Sequence, residues 1–190
     1  TYNSMIRAYL KGRAIGKAVE MFALMKKEEI KPNQITYNTM IGSYTKDGQI
    51  DKAEELFTVM KKDGVEPNVV TYTTMIRGFA KNGQMGKAIE TFASMKSKGL
   101  IPNDITFRTI LDCYAKTGKH LSEMLNIVKE MRESSVELDI RAWNNIMEGY
   151  SRAVGEKDQE KALSIWKYLS GQISHESLRM DLPVKAAPVS

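Results

Sequence analysis

The apolar positions of this chain fall at helical spacing, in short stretches that recur. Tyr37, Met40, Ile41 and Tyr44 sit at i, i+3, i+4 and i+7, the stripe of an amphipathic helix. Asp47–Gly48 then marks an end, because glycine accepts the left-handed conformation that closes a helix. Ile50, Ala53, Phe57 and Met60 form a second stripe, on a helix predicted to finish at Gly64. Pro67 blocks continuation. No segment alternates with the period of a strand.

The pair of helices repeats. Residues 35–46, ITYNTMIGSYTK, return as VTYTTMIRGFAK at 70–81. Aligned on the aromatic, TYN at 1–3, TYN at 36–38, TYT at 71–73, TFR at 106–108 and AWN at 142–144 are spaced by 35, 35, 35 and 36 residues. A second anchor keeps the phase: KPN at 31–33, EPN at 66–68, IPN at 101–103 and ELD at 137–139. KAVEMF, KAEELF, KAIETF and KALSIW fall in the second half of their units. A repeated two-helix unit with one apolar face must stack on its neighbours. The pattern therefore predicts an all-α, right-handed α-solenoid of about five helix-turn-helix hairpin repeats of 35 residues. The units run 1–32, 33–67, 68–102, 103–138 and 139–172, with a tail at 173–190 that loses the pattern.

Ala18, Ala53, Ala88 and Ala162 recur near the start of the second helix, where a small side chain lets paired helices approach. Met124 breaks that series beside a one-residue insertion around Lys119–Ser122, so unit four is expected to pack differently at that turn. The aromatic and methionine stripes are read as core.

Composition adds limits. The 190 residues are 27% charged and 42% hydrophobic, a balance that folds and stays dissolved. A net charge of +5 suits a polyanionic partner and equally suits ordinary solubility. The one cysteine, Cys113, excludes an internal disulfide and a thiolate metal cluster. His120 and His175 are too distant in sequence to suggest a histidine metal centre. No apolar run reaches membrane-spanning length. No targeting peptide is visible. The chain opens at Thr1 in mid-pattern, which reads as a fragment or a processed form.

The first helices carry a polar face opposite the apolar stripe. Asn38, Gly42 and Lys46 lie on it, as do Asn3, Arg7 and Lys11, and Thr73, Arg77 and Lys81. Small amide and hydroxyl groups match the Watson–Crick edge of a splayed base. Lys11, Lys46, Lys81, Lys116 and Arg152 share one position, where a cation could follow phosphates. The same cation would complement the helix dipole, by roughly 0.3–1 kcal/mol. Asp112 and Glu148 interrupt this face in units four and five. Glu54, Glu55, Lys61 and Lys62 are read as a solvated outer face of the second helix.

A 35-residue helical hairpin with an aromatic then Asn or Thr near its start, and Pro-Asn at its end, resembles the pentatricopeptide repeat (PPR) family. VTYTTMIRGFAKNGQMGKAIETFASMKSKGLIPN at 70–103 is nearly a consensus unit. The resemblance covers roughly residues 1–170. It implies a single-stranded RNA binder of chloroplasts or mitochondria, reading one base per repeat with two residues. The implied base-reading pairs are Asn3 with Asn33, Asn38 with Asn68, Thr73 with Asn103, and Arg108 with Asp139. Asn/Asn is associated with a pyrimidine and Thr/Asn with adenine, while Arg/Asp lies outside the common code. The implied site is 5′-pyrimidine-pyrimidine-A-N-3′, parallel to the chain. Ile35, Val70, Ile105 and Ile140 occupy the position that sandwiches bases in the family; a staple at the helix start is the alternative role. Lys11, Lys46, Lys81 and Lys116 are the phosphate candidates.

Two functions remain open from sequence. One is sequence-selective RNA binding in organellar RNA processing, splicing, stability or translation. The other is a helical adaptor within a larger protein complex. No deaminase motif or P-loop is present, so no enzyme activity, cofactor, metal, membrane or small-molecule substrate is expected. Single-stranded RNA is the expected partner, with proteins of an organellar RNA complex as the second class.

Overall fold

The computed structural model describes residues 2–117 and 121–136, together with Asn144 and Ile146. Among the described residues there are eight α-helices and no strand. They are α1 (Tyr2–Lys11), α2 (Ile15–Lys27), α3 (Gln34–Lys46), α4 (Ile50–Lys62), α5 (Val69–Lys81), α6 (Met85–Ser97), α7 (Asp104–Thr117) and α8 (Leu121–Glu133). The chain divides into two compact units, Thr1–Cys113 and Tyr114–Ser190. In the first, α1 packs on α2, α3 on α4 and α5 on α6, while α1, α3 and α5 stack side by side. Of the second, α8 is described, with Met124, Ile127, Val128 and Met131 buried. The architecture is the all-α solenoid that the repeat demanded.

The helix ends follow from local chemistry. Asn33 and Asn68 cap α3 and α5: each side-chain oxygen accepts from the backbone N–H three residues on, at 3.1 Å. Thr36 and Thr71 reciprocate, their hydroxyls accepting from the Asn backbone N–H and completing a capping box. At the far ends Gly48 and Gly64 adopt φ of +75° and +73°. That left-handed residue lets Gln49 and Val65 bond back to Tyr44 and Met60. In the first repeat the same two places are held by Arg13 and Glu29, also left-handed at φ +58° and +59°.

Burial forms the core between and within hairpins. Tyr37, Ile41, Tyr72, Met75 and Ile76 are fully enclosed. Ala18, Ala53 and Ala88 are each 0% exposed, as the spacing of small residues implied. Successive repeats also meet through aromatic edges. Phe22 lies edge-on to Tyr37 at 5.5 Å and Phe57 to Tyr72 at 5.4 Å. The Tyr37 hydroxyl donates to Asp63, which also pairs with Lys26 at 2.5 Å. Gly78 admits a close crossing of α3 and α5: a Cβ there would meet Thr45 Cγ2 at 2.6 Å.

The outer charges of α4 do more than face solvent. Glu54 pairs with Lys87 of the next repeat at 2.7 Å, and Lys61 lies 4.0 Å from the centre of the Phe57 ring. Glu55, Lys61 and Lys62 are exposed, as expected of a solvated face, and these contacts add to that reading. The periodicity shows which side of a helix points outward, but not which charge of the next repeat meets it. The turn beside Met124, Ala162 and the tail lie outside the described residues.

Candidate nucleic-acid interface

Stacking brings the sequence pairs together. The Asn3 amide nitrogen lies 3.5 Å from Asn33 Oδ1, and that of Asn38 lies 3.4 Å from Asn68 Oδ1. The members of each pair are thirty residues apart, one early on a first helix and one at the cap of the next repeat's first helix. Asn3 and Asn38 are half-buried, Asn33 and Asn103 exposed, and Asn68 half-buried. Asn33, Asn68 and Asn103 therefore serve as structural caps as well as candidate contacts.

A third residue, missed in the sequence reading, completes each cluster. Thr36 donates its hydroxyl to Asn3 Oδ1 at 2.7 Å, and Thr71 donates to Asn38 Oδ1 at 2.6 Å. Each of these threonines is 1% exposed or less. In the third repeat Thr106 takes this place, 2.7 Å from the Thr73 hydroxyl, and donates to Asn103 Oδ1 at 2.8 Å. Thr73 is 5% exposed, more enclosed than Asn3 or Asn38. Gln34 adds a further tether, its Oε1 accepting from Asn68 Nδ2 at 3.0 Å. The repetition of Thr before the aromatic in the first four units was the available sequence signal, but a threonine beside a helix start reads first as helix capping.

Arg108 belongs to the fourth pair. It makes an ion pair with Asp104 at 2.8 Å, one turn back on α7. Its proposed partner Asp139 lies outside the described residues, as do Ile140, Glu148 and Arg152.

Ile35, Val70 and Ile105 flank the clusters and are 55%, 55% and 47% exposed. Lys11, Lys46, Lys81 and Lys116 are exposed in the last turns of α1, α3, α5 and α7. Lys11, Lys46 and Lys81 make no ion pair with any described residue. Arg7 and Arg77 are exposed on the same helices, while Asp112 is half-buried on α7. Among the described residues no group of acidic, histidine or cysteine side chains could hold a metal, Cys113 is buried, and no helix is long and apolar enough to cross a membrane.

A model of the PPR repeat family matches residues 1–43, 32–81 and 69–116, and a PPR repeat model matches residues 105–136. The chain belongs to the PPR repeat family. In solved structures this PPR chain is similar to the pentatricopeptide repeat protein PPR10 from maize, at 27% identity and a TM-score of 0.70, over 90% of this chain and 24% of that one. The likeness extends to PPR10 in complex with an 18-nt psaJ RNA element, at 29% identity and a TM-score of 0.61, over 90% of this chain and 25% of that one. The PPR domain of Arabidopsis thaliana protein-only RNase P 1, in complex with tRNA, shares the fold at 17% identity and a TM-score of 0.69, over 92% of this chain and 91% of that one. This PPR chain thus spans about a quarter of the length of PPR10. No curated protein matches it in sequence.

Proposed function

We propose that this PPR chain binds single-stranded RNA, with one base facing each cluster between successive repeats. The observation that carries the reading is the meeting of Asn38 with Asn68, and of Asn3 with Asn33, at 3.4 and 3.5 Å. Each meeting offers donors and an acceptor at one point, beside an exposed aliphatic side chain on which a base can rest. Lys46 and Lys81, which make no ion pair with any described residue, follow the phosphates. The preferred site is 5′-pyrimidine-pyrimidine-A-N-3′. The RNA complex of PPR10 supports this reading.

The proposed setting is organellar RNA processing, splicing, stability or translation, with no catalytic step assigned to the chain. Stacking yields about 1–3 kcal/mol per base before ordering costs, so three or four bases give modest affinity. The test is equilibrium binding of a short single-stranded RNA containing CCA, against scrambled RNA and duplex, at two salt concentrations. With about four phosphate contacts, log K should fall with log salt at a slope of roughly −3. Absence of binding above background would overturn the reading and favour the adaptor role, to be pursued by partner capture.

A further inference from the structure

We propose that Thr106 is a positioning residue that fixes the polarity of base reading in the third repeat, and that Thr36 and Thr71 do the same for the first and second. The inference rests on the RNA reading above and adds a residue that touches no base. It follows from accounting for protons.

Thr73 and Thr106 are 5% and 0% exposed, with their hydroxyl oxygens 2.7 Å apart. Each hydroxyl has one proton. Asn103 Oδ1 must accept, because it caps the backbone N–H of Thr106 at 3.0 Å. Thr106 lies 2.8 Å from that same oxygen and donates to it. Thr106 therefore receives the proton of Thr73. The opposite order gives up the bond from Thr106 to Asn103, at a cost of about 0.5–1.5 kcal/mol. So Thr73 can offer a base only a lone pair, while Asn103 turns its amide N–H groups outward.

An acceptor beside a donor selects a base edge with the reverse order. Adenine and cytosine present an amino donor beside a ring-nitrogen acceptor. Guanine and uracil present a carbonyl acceptor beside a ring N–H. In a fixed base position the committed proton of Thr73 thus separates amino from keto bases. The smaller Thr73 side chain leaves room for the purine of that class.

The second repeat differs in a way that follows from the same rule. Thr71 lies 3.0 Å from Asn68 Oδ1 and 2.6 Å from Asn38 Oδ1; unlike the Thr73 hydroxyl, Asn38 Oδ1 can only accept, so the Thr71 proton runs to it by the shorter bond. Asn38 then directs one amide N–H at Asn68 Oδ1. It keeps one N–H and one lone pair for a base. The threonine of the following repeat, not the reading residue alone, sets what the reading residue can offer.

The test uses the full chain and RNAs differing only at the third position, CCA against CCG. The wild type should favour A over G by about tenfold. Thr106→Val frees the Thr73 proton to donate, and the A-to-G ratio should fall to about twofold or less, while Thr106→Ser keeps it. An unchanged ratio in a folded Thr106→Val chain overturns the inference and leaves RNA binding intact. A wild type that binds no single-stranded RNA overturns both. A measurement without RNA or substitution supplements these: the hydroxyl protons of Thr73 and Thr106 should exchange slowly enough to be seen by proton NMR, and rapid exchange of both overturns the committed network.

Discussion

Gly78 on α5 meets Thr45 on α3 so closely that a Cβ at Gly78 would lie 2.6 Å from Thr45 Cγ2 and 2.9 Å from Thr45 Cβ. Ile50 Cδ1 closes the same space at 2.9 Å. Glycine inside a helix ordinarily costs about 0.5–1 kcal/mol relative to alanine, so Gly78→Ala would stabilise an open site. Here the added methyl overpacks a contact between repeats, at about 1–3 kcal/mol. Gly78→Ala should therefore lower stability by about 1–2 kcal/mol in a urea melt. Thr45→Ser, which removes Cγ2, should recover part of the loss in the double variant. A more stable Gly78→Ala chain would contradict the crossing.

The reverse holds at Glu29. It adopts φ +59° where the second and third repeats have Gly64 and Gly99. A left-handed residue with a side chain costs about 1–2 kcal/mol, offset in part by the larger entropy that glycine loses. Glu29→Gly should stabilise the chain by about 0.5–1 kcal/mol, measurable as a rise in Tm.

Helix structure was legible because burial imposes a period on the sequence. Tyr37, Met40, Ile41 and Tyr44 could be read as one face since all four must leave water together. The left-handed glycines marked where those faces stop. Contacts between repeats were less legible. The Phe57–Tyr72 edge contact and the Glu54–Lys87 pair depend on how far one hairpin shifts along the next, and spacing within a repeat carries no record of that shift. At the candidate interface the Asn pairs came from resemblance. The capping of Asn33 and Asn68 was readable, since Asn ahead of an apolar helix is a start signal. The bond from Thr71 to Asn38 was not, because its two ends come from different repeats. The Arg108–Asp104 pair has the ordinary i, i+4 spacing of a helix face and was readable from the sequence.

The capping role and the reading role of Asn68 should separate. Asn68→Ala removes the cap and should cost about 0.5–2 kcal/mol. Asn68→Asp keeps an acceptor for Thr71 N–H, so its Tm should remain close to wild type. It loses the outward amide donor, however, and should favour uracil, whose ring N–H can donate, over cytosine at the second base. Melts of both variants beside binding to CCA and CUA test the two halves independently.

Lys46 and Lys81 should act on every RNA alike. Replacing both with Ala should weaken all single strands by a similar factor and flatten the salt slope by about 1.4, at 0.7 per contact. A loss confined to one sequence would argue against a phosphate role.

The Tyr37–Asp63–Lys26 cluster predicts how stability follows pH. Hydrogen bonds from Lys26 and Tyr37 hold the Asp63 carboxyl below its ordinary range. Its contribution is present above the ordinary carboxylate pKa and is lost as acid protonates the folded form. Burial, then the bond to Asp63, pushes the Tyr37 phenol above its ordinary value of 10.0. That contribution is complete below pH 10 and declines as the pH rises, because the unfolded phenol ionises first. Asp63→Asn should flatten the acid side of a stability profile, and Tyr37→Phe the alkaline side. Unchanged limbs would show that the cluster is not coupled to folding.

Because Asn33, Asn68 and Asn103 each hold the start of a helix, mutation cannot explore these positions freely. Only side chains that accept from a backbone N–H while remaining short keep the hairpin in place: Asn, Asp, Ser and Thr. A new base preference can arise there only within that small alphabet. Asn3, Asn38 and Thr73 lie inside their helices and bear no such duty. On the proposed reading, recognition is therefore free to drift at Asn3, Asn38 and Thr73, while Asn33, Asn68 and Asn103 are constrained by the need to fold.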